Sequence, residues 1–271
     1  MIANQVPGAP LILRVLAGCV LFIAARAAGG AEPTGWVEIR TLDAPEAFQA
    51  AAAHEDWVFA IANSQVAKYD RATGERLAIS TGEAKHLNSG FVWEGKLYCA
   101  HSNYPLVPEK SEIKVLDLET MKLTTFKDFG NVGGSLTWAV RRDADDDKGW
   151  WCNFARYGDD NVKTFVVRLD DAWREQGRWT YPPEVLKEIG RNSLSGGIWL
   201  ADELLVTDHD NRVIYRLRLP QEGSVLELVA KESVPFTGQG FALDAKTGGL
   251  VGINRAKRQI VFAERSSKQE P

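Results

Sequence analysis

A hairpin that recurs along the chain constrains the fold of this protein more than any other feature. Residues 86–104, HLNSGFVWEGKLYCAHSNY, contain two apolar runs around a Glu94-Gly95-Lys96 turn, which is typical of an antiparallel hairpin. Residues 101–104 follow the second run and are predicted to form a polar cap after the strand. Similar hairpins recur at irregular intervals between residues 48 and 254. Since the first strand of such a hairpin begins beside the end of the second, each repeat brings polar residues to the same edge.

The repeats also share the segment after the hairpin. In several of them a third alternating strand ends in Asp, as at Asp70 and Asp117, and a polar turn leads into a fourth strand. The fifth repeat has only three strands, and residues 36–40 supply the missing one. This pattern predicts an all-β, five-bladed β-propeller with four-stranded antiparallel blades, in which the N-terminal strand closes the last blade. A β-sandwich, the alternative, would not repeat one hairpin five times.

The first thirty residues differ from the rest. A lone Arg14 precedes the apolar run 15–25 and a stretch of small residues, so residues 1–30 are interpreted as a secretory signal peptide and residues 31–271 as a single propeller domain. We therefore expect an exported protein, periplasmic or extracellular. Lipidation at Cys19, in the sequence LAGC, is the less favoured alternative. One short helix is predicted, at residues 182–190, with Pro at its start and Gly at its end.

Charge and cysteine content narrow the function classes. The net charge of −4, without a Lys/Arg cluster, argues against a role on nucleic acid or on an anionic membrane surface. A small-molecule or carbohydrate-derived ligand is the expected partner, and the protein is expected to be a monomer without a membrane span. Once a signal peptide is removed, Cys99 and Cys152 remain. Two buried free thiols are favoured over a disulfide between them.

Projected onto a propeller, the polar residues of the repeats gather on one face. By blade, these are Gln49 and Asn63; His86, Asn88, Ser89, His101 and Asn103; Ser135, Thr137, Arg156 and Tyr157; Ser195, Asp208 and His209; and Gln239, Asn254 and Arg255. Three of the four histidines fall here, whereas His54 falls in a hairpin turn on the opposite face.

Four interpretations of this polar set remain open. His86, His101 and His209 could bind a divalent metal, although their spacing matches no known motif. They could act as catalytic acid and base on a bound anion or sugar, with Arg156 and Arg255 holding negative charge. The face could instead only bind a ligand, its amides and hydroxyls recognising hydroxyl groups and Trp138 or Tyr157 stacking on a ring. Finally, the residues could simply cap strand ends. For the whole protein, a protein-interaction propeller, which would present a large apolar patch on the blade rims, is a further alternative. No cofactor is required by the sequence.

The acidic run at residues 143–149 is a weaker signal. Its glycine is displaced from the position that an EF-hand loop requires, and Phe154 stands where the loop needs Glu, so a solvated hairpin turn is favoured over a calcium site. The sequence also contains no nucleophile elbow, phosphate-binding loop or dinucleotide fingerprint.

Three blocks carry a resemblance to a known family. LNSGFVWEGKLYCAHSNYP (87–105), GSLTWAVRR (134–142) and SLSGGIWL (193–200) are similar to blocks of a family of small exported bacterial proteins that are often labelled cycloisomerase. The resemblance covers most of residues 48–262. It implies a β-propeller, export, and isomerase or lactonase-like chemistry on a sugar acid or lactone. Gln49-Ala50 departs from the Gln-Gly that the family often has at this point.

Overall fold

Twenty β-strands grouped in fours make up most of the computed structural model, which describes residue 1, residues 35–144 and residues 147–266. Strand β1 (Trp36–Asp43) comes first in the chain but belongs to the last group. Blade 1 comes next, with strands β2 (Ala50–Ala53), β3 (Trp57–Ile61), β4 (Val66–Asp70) and β5 (Arg76–Ile79). Blade 2 has strands β6 (His86–Trp93), β7 (Lys96–Ser102), β8 (Ser111–Asp117) and β9 (Leu123–Gly130).

The remaining blades continue in chain order. Blade 3 has strands β10 (Ser135–Arg142), β11 (Gly149–Ala155), β12 (Phe165–Leu169) and β13 (Glu175–Thr180), with a 3₁₀ turn at Gly158–Lys163. Helix α1 (Pro183–Ile189), at the position predicted, leads to blade 4, with β14 (Gly196–Leu200), β15 (Glu203–Thr207), β16 (Val213–Arg218) and β17 (Glu227–Ser233). Blade 5 has β18 (Thr237–Asp244), β19 (Gly249–Asn254), β20 (Gln259–Arg265) and β1.

The predicted five-bladed propeller is confirmed. Neighbouring strands within each blade are antiparallel, and β1 pairs with β20 from Trp36↔Arg265 to Asp43↔Gln259, so the first strand of the chain completes the last blade. Blades 5 and 1 join through a parallel pairing of Gly240 with Ala50, where the Gly240 N–H donates to the Gln49 carbonyl at 2.9 Å. Strands β1 and β20 are therefore built into the same blade, and fewer sheet edges are left unpaired.

Small residues in the inner strands let five blades approach one axis. β2 consists of four buried alanines, and β14 opens with Gly196 and Gly197. A Cβ added to Gly240 would lie 2.6 Å from Ala50 Cβ and 2.9 Å from Ser89 Cα, so strands of blades 5, 1 and 2 meet here without room for a side chain. Large side chains fill the space that these glycines leave: a Cβ added to Gly197 would lie 2.5 Å from the Trp138 ring, and one added to Gly196 would lie 2.8 Å from the Phe241 ring.

The Asp residues that end β4 and β8, the third strands of blades 1 and 2, cap the turns that follow them. Asp70 Oδ1 accepts the backbone N–H groups of Ala72 and Thr73, at 2.9 and 2.7 Å, and Asp117 Oδ1 accepts those of Glu119 and Thr120, at 3.1 and 2.8 Å. These Asx turns begin the connection to the fourth strand. The turn between β6 and β7 also has a local origin. Glu94 and Gly95 both have positive φ, as a two-residue hairpin turn requires.

The prediction of two free cysteines is confirmed, whereas the predicted end of β7 is wrong. Cys99 and Cys152 are buried free thiols, as expected. Residues 101–104, in contrast, are not a polar cap after a strand: His101 and Ser102 continue β7 because they pair with Glu112 and Ser111 of β8. They also pair with Leu87 and His86 of β6, so both neighbours of β7 extend the strand.

The described residues from Gly35 onward belong to one compact unit, Pro33–Pro271. The predicted signal peptide, including Cys19, lies outside the described residues, as do Asp145 and Asp146 of the acidic run. In the part of the chain that is described, no helix is long and apolar enough to cross a bilayer.

Candidate functional site

The predicted site residues lie at one edge of the ring, which we call the polar face. It comprises the residues at the starts of β2, β6, β10, β14 and β18 together with the loops after β3, β7, β11, β15 and β19. The pairing of His86 with Ser102 and of Ser135 with Ala155 places both ends of a hairpin at this edge. The polar face thus holds every position of the predicted set, but the side chains divide into two groups with different surroundings.

Bulges in the inner strands help to decide this division. The register of β6 against β7 shifts between Leu87 and Gly90, and that of β10 against β11 shifts between Leu136 and Trp138. A bulge places an extra residue in one strand and redirects the side chains beyond it. Side-chain directions near the polar face therefore cannot be read from simple alternation.

Three residues from three blades form what we call the central cluster: His86 of blade 2, His209 of blade 4 and Arg255 of blade 5. Burial lowers the pKa of His86, and the charges of Arg255 and His209 lower it further. Burial also lowers the pKa of Arg255, an effect that Asp210 opposes and Arg258 reinforces. The cluster is thus partly desolvated, and the charge of Arg255 disfavours a proton on His86.

Hydrogen bonds orient the surroundings of the central cluster. His209 Nδ1 lies 2.7 Å from Asp210 Oδ1, and the His209 carbonyl accepts from Gln239 Nε2 at 2.6 Å. On blade 1, Gln49 Nε2 donates to Asn63 Oδ1 at 2.6 Å. Of the predicted ligand-binding amides, Gln49, Asn63 and Gln239 therefore lie in contacts between residues of the polar face.

Aromatic rings complete this region, and two of them were not predicted as site residues. The guanidinium groups of Arg255 and Arg258 lie 4.0 and 4.4 Å from the ring centroid of Phe48. The His86 ring is 5.2 Å from Tyr104, whose ring is 5.3 Å from Tyr157. Phe48 precedes Gln49 and Tyr104 comes directly after Asn103, so both adjoin predicted positions and repeat alignment could have found them.

The hydroxyl groups of Ser135 and Ser193 lie beside Tyr157. Burial raises the pKa of Tyr157 to about 12, against the effect of the neighbouring Ser193 and Ser135 hydroxyls, so the phenol stays protonated at neutral pH. Ser193 Oγ lies 3.2 Å from Ser195 Oγ. The buried Ser89 hydroxyl has no hydrogen-bond partner among the described residues.

His101 has a different environment from His86 and His209. Its Nε2 accepts a hydrogen bond from the backbone N–H of Lys85 at 2.9 Å, and its Nδ1 lies 3.4 Å from Glu112 Oε2. Burial, together with the charge of Lys114, lowers the pKa of His101 to about 4, so the ring is neutral at pH 7. Both ring nitrogens lie near protein groups, so we interpret His101 as a structural residue that links the backbone of Lys85 to β7.

Other predicted residues are also occupied in structural bonds. Arg156 lies 3.9 Å from Glu109 at the blade 2–blade 3 boundary. Several further polar groups hold strands or turns: Asn88 Nδ2 donates to the Leu136 carbonyl, Asn103 bonds Pro108 and Lys110, Thr137 Oγ1 donates to the Leu194 carbonyl, Asp208 accepts from Asp210 and Asn211, and Asn254 Oδ1 accepts from the Lys257 N–H. For these residues the interpretation as strand and turn caps is the better one.

The three histidines do not form a metal-ligand set. Within residues 35–144 and 147–266, no group of three or more His, Cys, Asp or Glu side chains is arranged to hold a metal ion. The side chains of the central cluster instead combine two imidazoles with a guanidinium, which is suited to anions rather than cations.

Comparisons with known proteins support the fold. No protein-family model matches the sequence, and no curated protein matches it. A glutaminyl cyclase from Myxococcus xanthus superimposes with a TM-score of 0.57 at 9% identity, covering 84% of this chain and 95% of the cyclase. A chain of a mitotic checkpoint complex reaches a TM-score of 0.46 at 11% identity, with 95% and 100% covered, and we draw nothing from it. The cyclase shares a propeller-like fold with this chain, while the resemblance to the cycloisomerase-labelled family stays a prediction.

Proposed function

We propose that the polar face binds a small carboxylate ligand, such as a sugar acid, at the central cluster of His86, His209 and Arg255. The observation that carries the proposal is the meeting of side chains from three blades at one place: Arg255 and His209 lie close enough to His86 for their charges to lower its pKa, and the Arg255 guanidinium lies 4.0 Å from the Phe48 ring centroid. A carboxylate among them would favour a proton on His86, and a guanidinium can bind both of its oxygens. The rings of Phe48 and Tyr104 offer apolar surface for the carbon face of a sugar.

The same site suits lactone chemistry, which is the second candidate function. With its pKa lowered, His86 is neutral at pH 7 and can accept the proton of an attacking water. Water would add to the lactone carbonyl, Arg255 would stabilise the oxyanion, and the ring C–O bond would break as the ring oxygen takes up a proton. The products are a hydroxy acid and free His86, and the reverse reaction closes the ring. The carboxylate product is the same ligand class as above.

Calorimetry with Arg255→Gln tests the binding proposal. D-gluconate is the probe, and D-glucono-δ-lactone is its neutral counterpart. We expect wild-type protein to bind gluconate, and Arg255→Gln to bind it at least tenfold more weakly, because the variant removes a partly buried cation (about 1.5–3 kcal/mol for a hydrogen bond to a charged group). Arg174→Gln, at a side chain that is 78% exposed, is the matched control and should bind as wild type does.

Two results would count against this site: the absence of binding by every sugar acid tried, or equal affinity in wild type and Arg255→Gln. Turnover is measured separately, by NMR with the lactone and with a glutaminyl peptide, the latter because the structural neighbour is named a glutaminyl cyclase. Lactone opening above the buffer rate that disappears in His86→Gln supports the enzyme. Binding without turnover identifies a ligand-binding protein.

We propose further that the protein is exported, on the strength of the apolar run at residues 15–25 and the small residues after it. Expression of the full chain in a bacterial host, with mass determination of the periplasmic fraction, tests this. A mature protein that begins near Ala31 is the expected result. A full-length cytoplasmic product would contradict it.

A further inference from the structure

All five blades line a cavity at the end of the ring axis opposite the polar face. Its volume is about 310 Å³, and each inner strand contributes residues near its C-terminal end to the wall. The contributing residues include Ala53 of β2, Val92 of β6, Val140 of β10, Ile198 of β14 and Ala242 of β18. We call it the axial cavity. This size lies at the lower end of the range of small-molecule sites (about 300–1,000 Å³).

The walls of the axial cavity suit a neutral ligand. Phe91, Trp199 and Leu243 add apolar surface to the strand ends. The cation of the lining, Arg141, donates to Asp143 Oδ1 at 3.1 Å and also bonds Asp171, so its charge is already compensated. Since Glu55 also lines the cavity, a carboxylate would meet a negative charge there.

Two buried nitrogen atoms belong to residues of this lining. Among the described residues, neither His54 Nδ1 nor Trp199 Nε1 has a hydrogen-bond partner. The His54 ring is held in place by stacking on Trp57, with a centroid distance of 5.0 Å and an interplanar angle of 19°. A buried polar atom without a partner is costly (about 1–3 kcal/mol), so Trp199 Nε1–H is suited to donating a hydrogen bond to a bound molecule, and His54 Nδ1 to accepting or donating one according to its tautomer.

We propose that the axial cavity binds a small neutral aromatic molecule that carries one hydroxyl group. The apolar walls cover the ring, and His54 Nδ1 or Trp199 Nε1 bonds the hydroxyl, which can both donate and accept. The site is separate from the polar face, so its ligand is independent of any sugar acid bound there.

Calorimetry with 4-ethylphenol tests the proposal, with ethylbenzene and 4-ethylbenzoate as comparison ligands. We expect 4-ethylphenol to bind about three- to tenfold more tightly than ethylbenzene, the range that one hydrogen bond gives, and 4-ethylbenzoate to bind most weakly. His54→Phe should reduce this advantage, while ethylbenzene affinity stays within twofold of wild type. Equal binding of the phenol and the hydrocarbon by wild type would overturn the proposal.

A blocking variant locates the site. Ala245→Trp introduces a large side chain at an exposed position of the lining, and it should abolish 4-ethylphenol binding. Ala72→Trp, in the exposed β4–β5 turn on the same face but outside the lining, is the control and should bind as wild type does. Circular dichroism verifies that both are folded. Unchanged binding by folded Ala245→Trp would overturn the assignment, and the His54→Phe comparison decides it if Ala245→Trp does not fold.

Discussion

At the scale of single residues, two histidines of blade 2 differ because their neighbours differ. His86 lies near Arg255 and His209 from other blades, and His101 accepts a hydrogen bond from the backbone N–H of Lys85 and adjoins Glu112. Burial lowers the pKa of both rings, so both are neutral at pH 7. The sequence presents them as equivalent, but only His86 takes part in the central cluster.

The affinity for gluconate should depend on pH through His86. A bound carboxylate raises the pKa of His86 from its lowered value, so binding takes up a proton, and affinity should rise as pH falls from 8 toward 6. Calorimetry at each pH, in buffers of different ionisation enthalpy, measures this proton uptake. His86→Gln should flatten the dependence, whereas the control His54→Gln, away from the polar face, should leave it unchanged. A flat profile in wild type would contradict the role of His86.

His101 should make the fold sensitive to acid. Its pKa is about 4 in the folded protein and near 6.5 when unfolded, so the unfolded chain binds the extra proton between these values. The stability that neutral His101 contributes is fully present above pH 6.5 and is lost as pH falls toward 4, by about 3 kcal/mol in total. Urea unfolding of wild type and His101→Gln at intervals from pH 7 to pH 4 checks this. If the free energy of unfolding falls equally with pH in the two proteins, His101 does not titrate in this way.

At the scale of secondary-structure elements, β1 is held to the ring by more than its pairing with β20. Glu232, on β17 of blade 4, is buried and accepts from Trp36 Nε1 at 3.0 Å, from Arg265 at 2.7 Å and from Arg216 at 2.8 Å. Burial alone would raise the pKa of Glu232, but these partners hold it below its usual value. One carboxylate therefore joins both outer strands of blade 5 to blade 4.

Removal of that charge should loosen the closure of the ring. Glu232→Gln removes the carboxylate that Arg265 and Trp36 share and leaves Arg216 with Glu203 alone, and we expect the free energy of unfolding to fall by about 3 kcal/mol. Glu227→Gln, in an exposed pair with Arg218, is the control and should cost less than about 1 kcal/mol. Chemical denaturation measures both. Equal losses in the two variants would mean that Glu232 contributes no more than a surface charge.

At the scale of the whole molecule, the ring closes through backbone contact between its inner strands. Gly240 of blade 5 lies against Ala50 of blade 1 and Ser89 of blade 2. A buried ion pair, in which Arg71 Nη1 donates to Asp244 Oδ1 at 2.8 Å, joins blades 1 and 5 nearer the opposite face. Closure therefore depends on residues that are far apart in the chain.

A double-mutant cycle at this contact tests the requirement for small residues. Gly240→Ala should lower the free energy of unfolding by about 1–3 kcal/mol, because the added methyl group overlaps Ala50 Cβ and Ser89 Cα. Ala50→Gly relieves the first overlap, so the double variant should lose less than the sum of the single losses. Urea unfolding of the four proteins gives the coupling. Strict additivity would mean that the two positions do not touch in solution.

Local pattern alone determined the fold to a large extent. Strand alternation, the Glu94-Gly95 turn and the Asp turns act over a few residues, so the strands, the five repeats and the exchanged N-terminal strand could be predicted from the chain. The same repeats correctly indicated which residues reach the polar face, because the direction of a strand is set by its place in the blade.

The tertiary structure alone decided what those residues do there. Bulges in β6 and β10 redirect side chains, neighbours within blade 2 occupy His101, and partners outside their own blades occupy Asn88 and Thr137. His86, His209 and Arg255 are drawn together from three blades. The axial cavity had no counterpart in the sequence, since each strand contributes only one or two ordinary residues to it. Contacts between distant segments depend on ring closure and register, which no local pattern records.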